Sequence, residues 1–530
     1  MFIKRNTLIA GILFMVLFTS ACGPAATRAP SYDYAPPEEF AATEAPAAPE
    51  ESSNDYFPDA SAPNSNQPHP QSNREPYDMF FKDYGVNPSI DTEDDNLSTF
   101  ALDVDTGSYT VMRNYLSDGN LPPSDSVRVE EYVNYFDQGY PNPPTRQAFG
   151  IYVDGAPAPF TQSERYHMLR VGIQGYQVPA HERKDAALTF VIDVSGSMDM
   201  DNRLGLVKRS LELLVEQLRP GDTVSIVVYG SEARVVLDPT PGSDKGTILD
   251  AIYSLRPEGA TNAEAGIRLG YKMAMRAYNP EGINRVILAS DGVANVGETG
   301  PDAILEEVRH YVEEGVTLTT IGFGMDNYND VLMEQLADNG DGFYAYVDDM
   351  REARRLFVDQ ITGTLQTIAM DAKVQVDFDP EVVMRYRLVG FENRAVADED
   401  FRDNTVDAGE IGAGHSVTAL YEIKLYPEAY GNLATVFMRW QDPDTRQVIE
   451  LSQDFSVEEL ERDFEDADPY FQRAVIVAEY AEILKESYWA EESSLRHVYR
   501  EAERVSELLP RDEDMSEFME LIRRASGLTD

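Results

Sequence analysis

The chain holds a single cysteine, Cys22. No intramolecular disulfide can form, and a cysteine-based zinc site is excluded. Histidine is scarce too: the 6 present are scattered and form no HExxH pair. No GxSxG elbow, GxxxxGKS/T loop or GxGxxG turn occurs, so the usual signatures of α/β-hydrolases, P-loop enzymes and dinucleotide binders are missing. Positive charge is in deficit. Against 93 acidic residues stand 44 Lys and Arg, a formal charge of -49. Nucleic-acid backbones need cationic contacts, so such a chain repels them. It also avoids anionic lipid surfaces unless something else holds it there. What the chain has is length and apolar content, 530 residues with 42% hydrophobic, enough for two to four packed domains.

The amino terminus reads as an address. Lys4 and Arg5 precede an apolar run from Leu8 to Phe18, shorter than the ~20 residues that span a bilayer. Charge, short apolar run and small residues form a secretory signal pattern. Its end, Thr19-Ser20-Ala21-Cys22, resembles the bacterial lipobox, with Thr19 where that motif usually has Leu. The resemblance implies cleavage before Cys22 and a lipid on its thiol. It also implies sorting to the outer membrane, where there is one, because Gly23 rather than Asp follows. The expected location is the extracytoplasmic face of the cell envelope. Residues 1–22 are the expected signal. Residues 23–97 are rich in Pro, Ala, Ser, Asn and acids, and read as a disordered tether with a reach of roughly 50 Å.

From Ala187 the pattern changes to strand-helix alternation: ALTFVIDV, LGLVKRSLELLVEQL, DTVSIVVY, AEAGIRLGYKMAMRAY, RVILAS, DAILEEVRHYVEEG and VTLTTIGFG follow one another. Such alternation builds a doubly wound, mostly parallel α/β sheet covered on both faces, with ligands at the carboxyl ends of its strands. After about Thr367 come strands without helices, such as AKVQVDF, MRYRLVG, SVTALYEIKL and ATVFMRW. FGIYVDG and YHMLRVGIQG, before the alternating region, are similar. The expected architecture is therefore an α/β domain at 187–365, inserted in an antiparallel β-sandwich. The sandwich draws on 98–186 and 366–460, and a helical region follows at 461–530. Within that last region Leu495, Val498, Tyr499, Ala502, Val505, Leu508 and Leu509 keep helical spacing, and a last short helix is expected at 512–526.

The strongest chemical signal is Asp193-Val194-Ser195-Gly196-Ser197, at the end of the first strand of the alternation. One carboxylate and two hydroxyls converge there, hard oxygen ligands suited to Mg2+ rather than to a soft metal. Gly259-Ala260-Thr261-Asn262 and Ser290-Asp291-Gly292 fall on the same rim, and glycines at 196, 259 and 292 are expected to let the backbone turn tightly. The same residues can also serve as helix caps and turn formers. Here the chain resembles the von Willebrand factor type A family and its metal-ion-dependent adhesion site. The resemblance implies Mg2+ or Mn2+ on Asp193, Ser195, Ser197, Thr261 and Asp291, with an acidic side chain of a protein partner completing the shell. The segments Ser98–Tyr109 and Val127–Phe136, and the β-rich carboxy-terminal region, resemble those of a group of bacterial lipoproteins that carry this domain. Asp103, Asp105 and Ser108 imitate a second metal loop but are expected to end a strand and cap the next helix. Asp338 to Asp349 is acid-rich without calcium-loop spacing, and is expected to be a solvated edge.

The expected activity is metal-dependent binding, not catalysis, since no motif supplies a general base for metal-bound water. The alternative is an envelope protein in which the metal only staples loops; metal-assisted hydrolysis ranks last.

Overall fold

The computed structural model describes residues 79–144, 147–161, 165–200, 203–292, 301–324 and 328–529. The expected signal, Cys22 and the first part of the expected tether lie outside them. Elements run in the order β1 (Ile90–Asp91), β2 (Leu97–Ala101), α1 (Gly107–Ser117), α2 (Val129–Asn134), β3 (Phe149–Pro157) and β4 (Tyr166–Gly175). The alternating part follows: β5 (Ala186–Asp193), α3 (Leu204–Gln217), β6 (Thr223–Tyr229), β7 (Ala233–Pro241), α4 (Lys245–Ser254), α5 (Ala263–Ala277), β8 (Ile283–Ser290), α6 (Pro301–Glu313), β9 (Thr317–Phe323), α7 (Asp330–Asp338) and β10 (Tyr344–Val347). Then come α8 (Met350–Arg354), a π-helix (Arg355–Asp359) and α9 (Ile361–Leu365). The last part holds β11 (Thr367–Phe378), β12 (Val383–Val389), β13 (Gly409–Gly412), β14 (Ser416–Leu425), β15 (Asn432–Gln441), β16 (Val448–Ser456), α10 (Pro469–Leu484), α11 (Leu495–Leu508) and α12 (Glu513–Thr529).

The six-stranded sheet has the order β10-β9-β8-β5-β6-β7, parallel except for the edge strand β7. Both faces are covered, so its central strands are buried almost throughout, and the pleat sends neighbours to opposite sides. In β5, Leu188, Phe190 and Ile192 face the α3 and α4 side, and Val191 faces α5. The second side is completed from outside the alternating region. Val111 and Tyr115 of α1 pack in the same core as α5, α6 and α7.

The flanks form two further sheets, β1-β12-β14-β4-β3 and β13-β11-β15-β16, with β2 paired to β11. Their strands come from both sides of the insertion, as the alternation pattern predicts. Inward residues recur with period two: Leu169, Val171 and Ile173 in β4, then Val417, Ala419, Tyr421 and Ile423 in β14. Opposite them stand Val374, Val376 and Phe378 of β11, and Val436 and Met438 of β15. The outer face of the first sheet gives Met168 and Leu420 to a helical core built by α1, α2 and α10–α12. Helix α10 is buried nearly all round. Pro469 occupies its first turn, and Asp468 accepts from the N–H of Tyr470 at 2.9 Å. The last helix spans 17 residues and buries Met515, Phe518, Leu521, Ile522 and Ala525, so it is no short appendage.

Three expectations are corrected. The tether does not run to residue 97. Thr92 is buried and donates to the carbonyl of Val383, and the Trp489 indole donates to the carbonyl of Asn87. These residues order through bonds to a distant strand and to the 3-10 turn Tyr488–Ala490, not through apolar periodicity of their own. Asp103, Asp105 and Ser108 do not cap α1, whose N-cap is Thr106 without a side-chain bond. Asp105 instead accepts from the backbone N–H of Tyr344 at 2.9 Å, and Asp103 pairs with Arg394 at 2.9 Å. The acid-rich 338–349 segment is not simply solvated either. Asp348 is held by Arg113 at 2.6 Å with both side chains buried, and Asp349 caps α8. Among the described residues no helix is long and apolar enough to cross a membrane.

Candidate metal centre at the sheet rim

Register brings the rim together. Asp193, the last residue of β5, lies beside Tyr229, the last of β6, while Ile192 pairs with Ala289 of β8. Ser290 therefore stands next to Asp193, and Asp291 follows it. Asp193 is fully buried; one carboxylate oxygen accepts from the N–H of Ser195 at 2.7 Å, the other from the Ser290 hydroxyl at 3.1 Å. Ser195 is buried and Ser197 exposed, so the donors rise from the core to solvent. Their hydroxyl oxygens are 2.9 Å apart.

The second loop is tied to the first. The N–H of Gly196 donates to the carbonyl of Gly259 at 3.1 Å, and the N–H of Glu258 to that of Val194 at 2.5 Å. Gly259 has φ of +71°, and a Cβ there would fall 2.2 Å from the Ser231 hydroxyl oxygen, so both conformation and space demand glycine. Gly292, with φ of +126°, meets the same need after β8. Gly196 does not: its φ is not positive, and a Cβ would meet only the Gly259 carbonyl oxygen, at an ordinary 3.5 Å. Thr261 is half-buried between Gly259 and Asn262, the N-cap of α5. All five expected ligands thus sit on three loops at the carboxyl end of one sheet.

Arg203 and Tyr229 are additions that the sequence did not expose, and Ser290, read there only as part of the third loop, also bonds Asp193. The Arg203 guanidinium is buried, 2.7 Å from Asp291 and 2.9 Å from the carbonyl of Ser197. It is accommodated by Gly324, where a Cβ would lie 2.5 Å from the Arg203 side chain. An arginine directly before an apolar helix carries no mark of this role, because its partner lies 88 residues on.

Electrostatics follow from burial. Desolvation pushes the Asp193 carboxyl up to about 6; the Asp291 charge adds to this, while bonds from Ser195 and Ser290 oppose it. Burial also raises Asp291, against the pull of Ser197 and Arg203. Desolvation and the Asp193 charge hold the Tyr229 phenol well above its usual range. Two clustered carboxylates in low dielectric favour a cation close by, and the all-oxygen donor set fits Mg2+ or Mn2+. A second carboxylate group, Asp341, Asp407 and Glu410, has oxygens within 4.8 Å of one another, away from the rim loops.

Sheet order and rim define the class: this is a protein built around a von Willebrand factor type A domain, a class that commonly mediates protein–protein interaction. The model of that domain matches residues 187–359, and a von Willebrand factor model matches 75–169. The particular family follows from the rest of the chain. The model of the carboxy-terminal region of the uncharacterized protein YfbK matches 363–430 and 426–528. Uncharacterized protein YfbK of Escherichia coli is 36% identical over 478 residues, 85% of this chain and 81% of its own. The chain belongs to the YfbK family.

More distant relatives share less. Inter-alpha-trypsin inhibitor heavy chain H3 of Homo sapiens is 25% identical over 272 residues, 45% of this chain and 28% of its own. Among solved structures, the von Willebrand factor type A protein of Catenulispora acidiphila is 15% identical, over 70% of this chain and 89% of its own, with a TM-score of 0.43.

Proposed function

We propose that the chain is an extracytoplasmic binding module, anchored by lipid on Cys22, whose rim holds Mg2+ or Mn2+ on Asp193, Ser195, Ser197, Thr261 and Asp291. The partner is a protein that offers an acidic side chain. The observation that carries the reading is the meeting of the DxSxS loop with the Thr261 and Asp291 loops, in which two hydroxyl oxygens lie 2.9 Å apart above a buried carboxylate. The ion, when bound, supplies an open coordination position for the partner's carboxylate. The chain's own residues do the rest. Asp193 is fixed by two hydrogen bonds, and the neutral hydroxyls leave the site electron-poor. Arg203 holds Asp291 and adds a positive charge that favours an acidic ligand. Met200, 55% exposed beside the loop, offers an apolar contact at the edge. The formal charge of -49 slows the approach of an acidic partner, but screening over ~8 Å confines that effect to encounter.

Calorimetric titration of Mg2+ into wild type and Asp193→Ala tests the site. Equal affinity in both would remove this constellation from consideration. Repeating it with a carboxylate-bearing peptide separates adhesion from the alternative in which the ion only braces loops: adhesion requires peptide binding that depends on the ion. For the anchor, Cys22→Ser should release the protein from membranes or leave its precursor uncleaved; unchanged processing and retention would count against it.

A further inference from the structure

Beyond the rim, and independent of any metal, a cavity of about 810 Å³ opens where the flanks, the α/β domain and the last helix meet. That is within the range of small-molecule sites, which favour such junctions. It reaches Phe343, Tyr344 and Ala345 at the amino end of β10, whereas the metal rim lies at the carboxyl ends of the strands. Tyr135, Phe136, Phe343 and Leu356 contribute apolar wall.

Three residues of this wall each carry a buried polar atom without a hydrogen-bond partner. Arg355 opens the π-helix, a rare element often found at functional sites, and its guanidinium stacks 3.9 Å from the centre of the Tyr135 ring. Its Nη1 is buried without a hydrogen-bond partner. The Oδ1 of Asn134 accepts from the N–H of Thr418 at 2.7 Å, which fixes the amide and leaves its buried Nδ2 without an acceptor. The Nδ1 of His415 is also buried and unpartnered; burial, Arg355 and Arg285 push this imidazole down to about 4, so it is neutral. Gly363 makes room for it, since a Cβ there would lie 2.5 Å from Nε2. Buried donors without acceptors are uncommon and ask for an occupant.

The charges narrow the occupant. Of the buried or half-buried acids in the wall, Glu352 is engaged by Arg113 at 3.3 Å. Asp514 is half-buried, with no ion pair or hydrogen bond among the described residues. Asp137 and Asp359 stand exposed at the edge. Arg355 and Asp514, close enough for their charges to attract one another, therefore line the same space, whose wall is part polar and part apolar. A lone anion would meet Asp514 and a lone cation would meet Arg355. A molecule with both charges satisfies both without burying a net charge.

The geometry points to a binding site for an amino acid or short peptide in zwitterionic form, its carboxylate on Arg355 and Asn134, its ammonium on Asp514 and its apolar side chains against Tyr135, Phe136 and Phe343. The probe is the dipeptide Phe-Leu, free, N-acetylated or C-amidated, titrated calorimetrically into the full chain without added metal. The free dipeptide should bind best, and each blocked form about tenfold more weakly, the loss of one charge-assisted bond. Arg355→Met should erase the difference between free and amidated forms, and Arg355→Lys should restore part of it. Asp514→Asn, at a half-buried position, should erase the difference between free and acetylated forms. Equal affinity for all three forms would reduce the cavity to an apolar site for adventitious additives only. No heat from any form at millimolar concentration, with the fold intact by circular dichroism, would mean that it holds only water. Either result overturns the proposal.

Discussion

Two stretches of this chain look alike on paper and behave differently in space. Asp103-x-Asp105-x-x-Ser108 and Asp193-x-Ser195-x-Ser197 both place acids and hydroxyls just after a strand. The second opens to solvent, and its carboxylates are answered by hydroxyls and one guanidinium, Arg203. The first is sealed. Arg394 meets Asp103, Asp105, Glu334 and Asp338, while Arg128 meets Glu131, Asp330 and Glu334. Six carboxylates thus surround two guanidiniums. Part of the imbalance is met by protons: burial holds Asp105 well above its usual range and pushes Glu131 up to about 8. The difference teaches that a liganding motif is defined by what faces it. Where guanidiniums fill the space, the same residue types lock domains together.

The comparison breaks most visibly at Arg394. Arg394→Met leaves several buried carboxylates without their cation, and should cost ~3–5 kcal/mol in urea unfolding. The loss should shrink at acidic pH, where those carboxyls take protons. A variant as stable as wild type at pH 8 would show that the network does not hold the junction. Next in size is the metal response. In wild type, Mg2+ at a hundredfold excess over its Kd should add ~2.7 kcal/mol. Asp193→Ala should abolish that gain with the fold retained, and the matched change Asp103→Ala should leave it intact. If both substitutions remove it, the two motifs are not separate in function.

Arg203 sharpens the contrast further. Arg203→Gln frees Asp291 from a buried ion pair, and should tighten Mg2+ binding by roughly thirtyfold, about 2 kcal/mol. Weaker binding would mean that the arginine shapes the site more than it competes for Asp291. The smallest effect is that of pH. The folded Asp193 carboxyl titrates at about 6, above the unfolded value of about 3.9. Without metal, its buried charge destabilises the fold increasingly as pH rises from about 4 to 6. Metal needs the deprotonated form, so its affinity is level above pH 7 and falls as pH drops through 6. At pH 5 it should be about tenfold weaker than at pH 7.5. A flat profile would exclude Asp193 as a ligand.

What the sequence by itself determined is what is local or periodic. Period two in SVTALYEIKL and period 3.6 in LGLVKRSLELLVEQL each state which face is buried, because burial acts on every second or every third and fourth side chain. The DxSxS spacing likewise marks the end of β5. Tertiary structure alone decided the partners. Arg203 reaches Asp291, Arg394 reaches Asp103, and Arg355 and Asp514 face one cavity across more than 150 residues. Helix α1 closes a sheet that begins far downstream, and β13, four residues long, joins a sheet without any alternation to announce it. The physical reason is common to all of these. Charge pairing and cavity shape depend on distance in space, and a chain encodes that distance only through the fold as a whole.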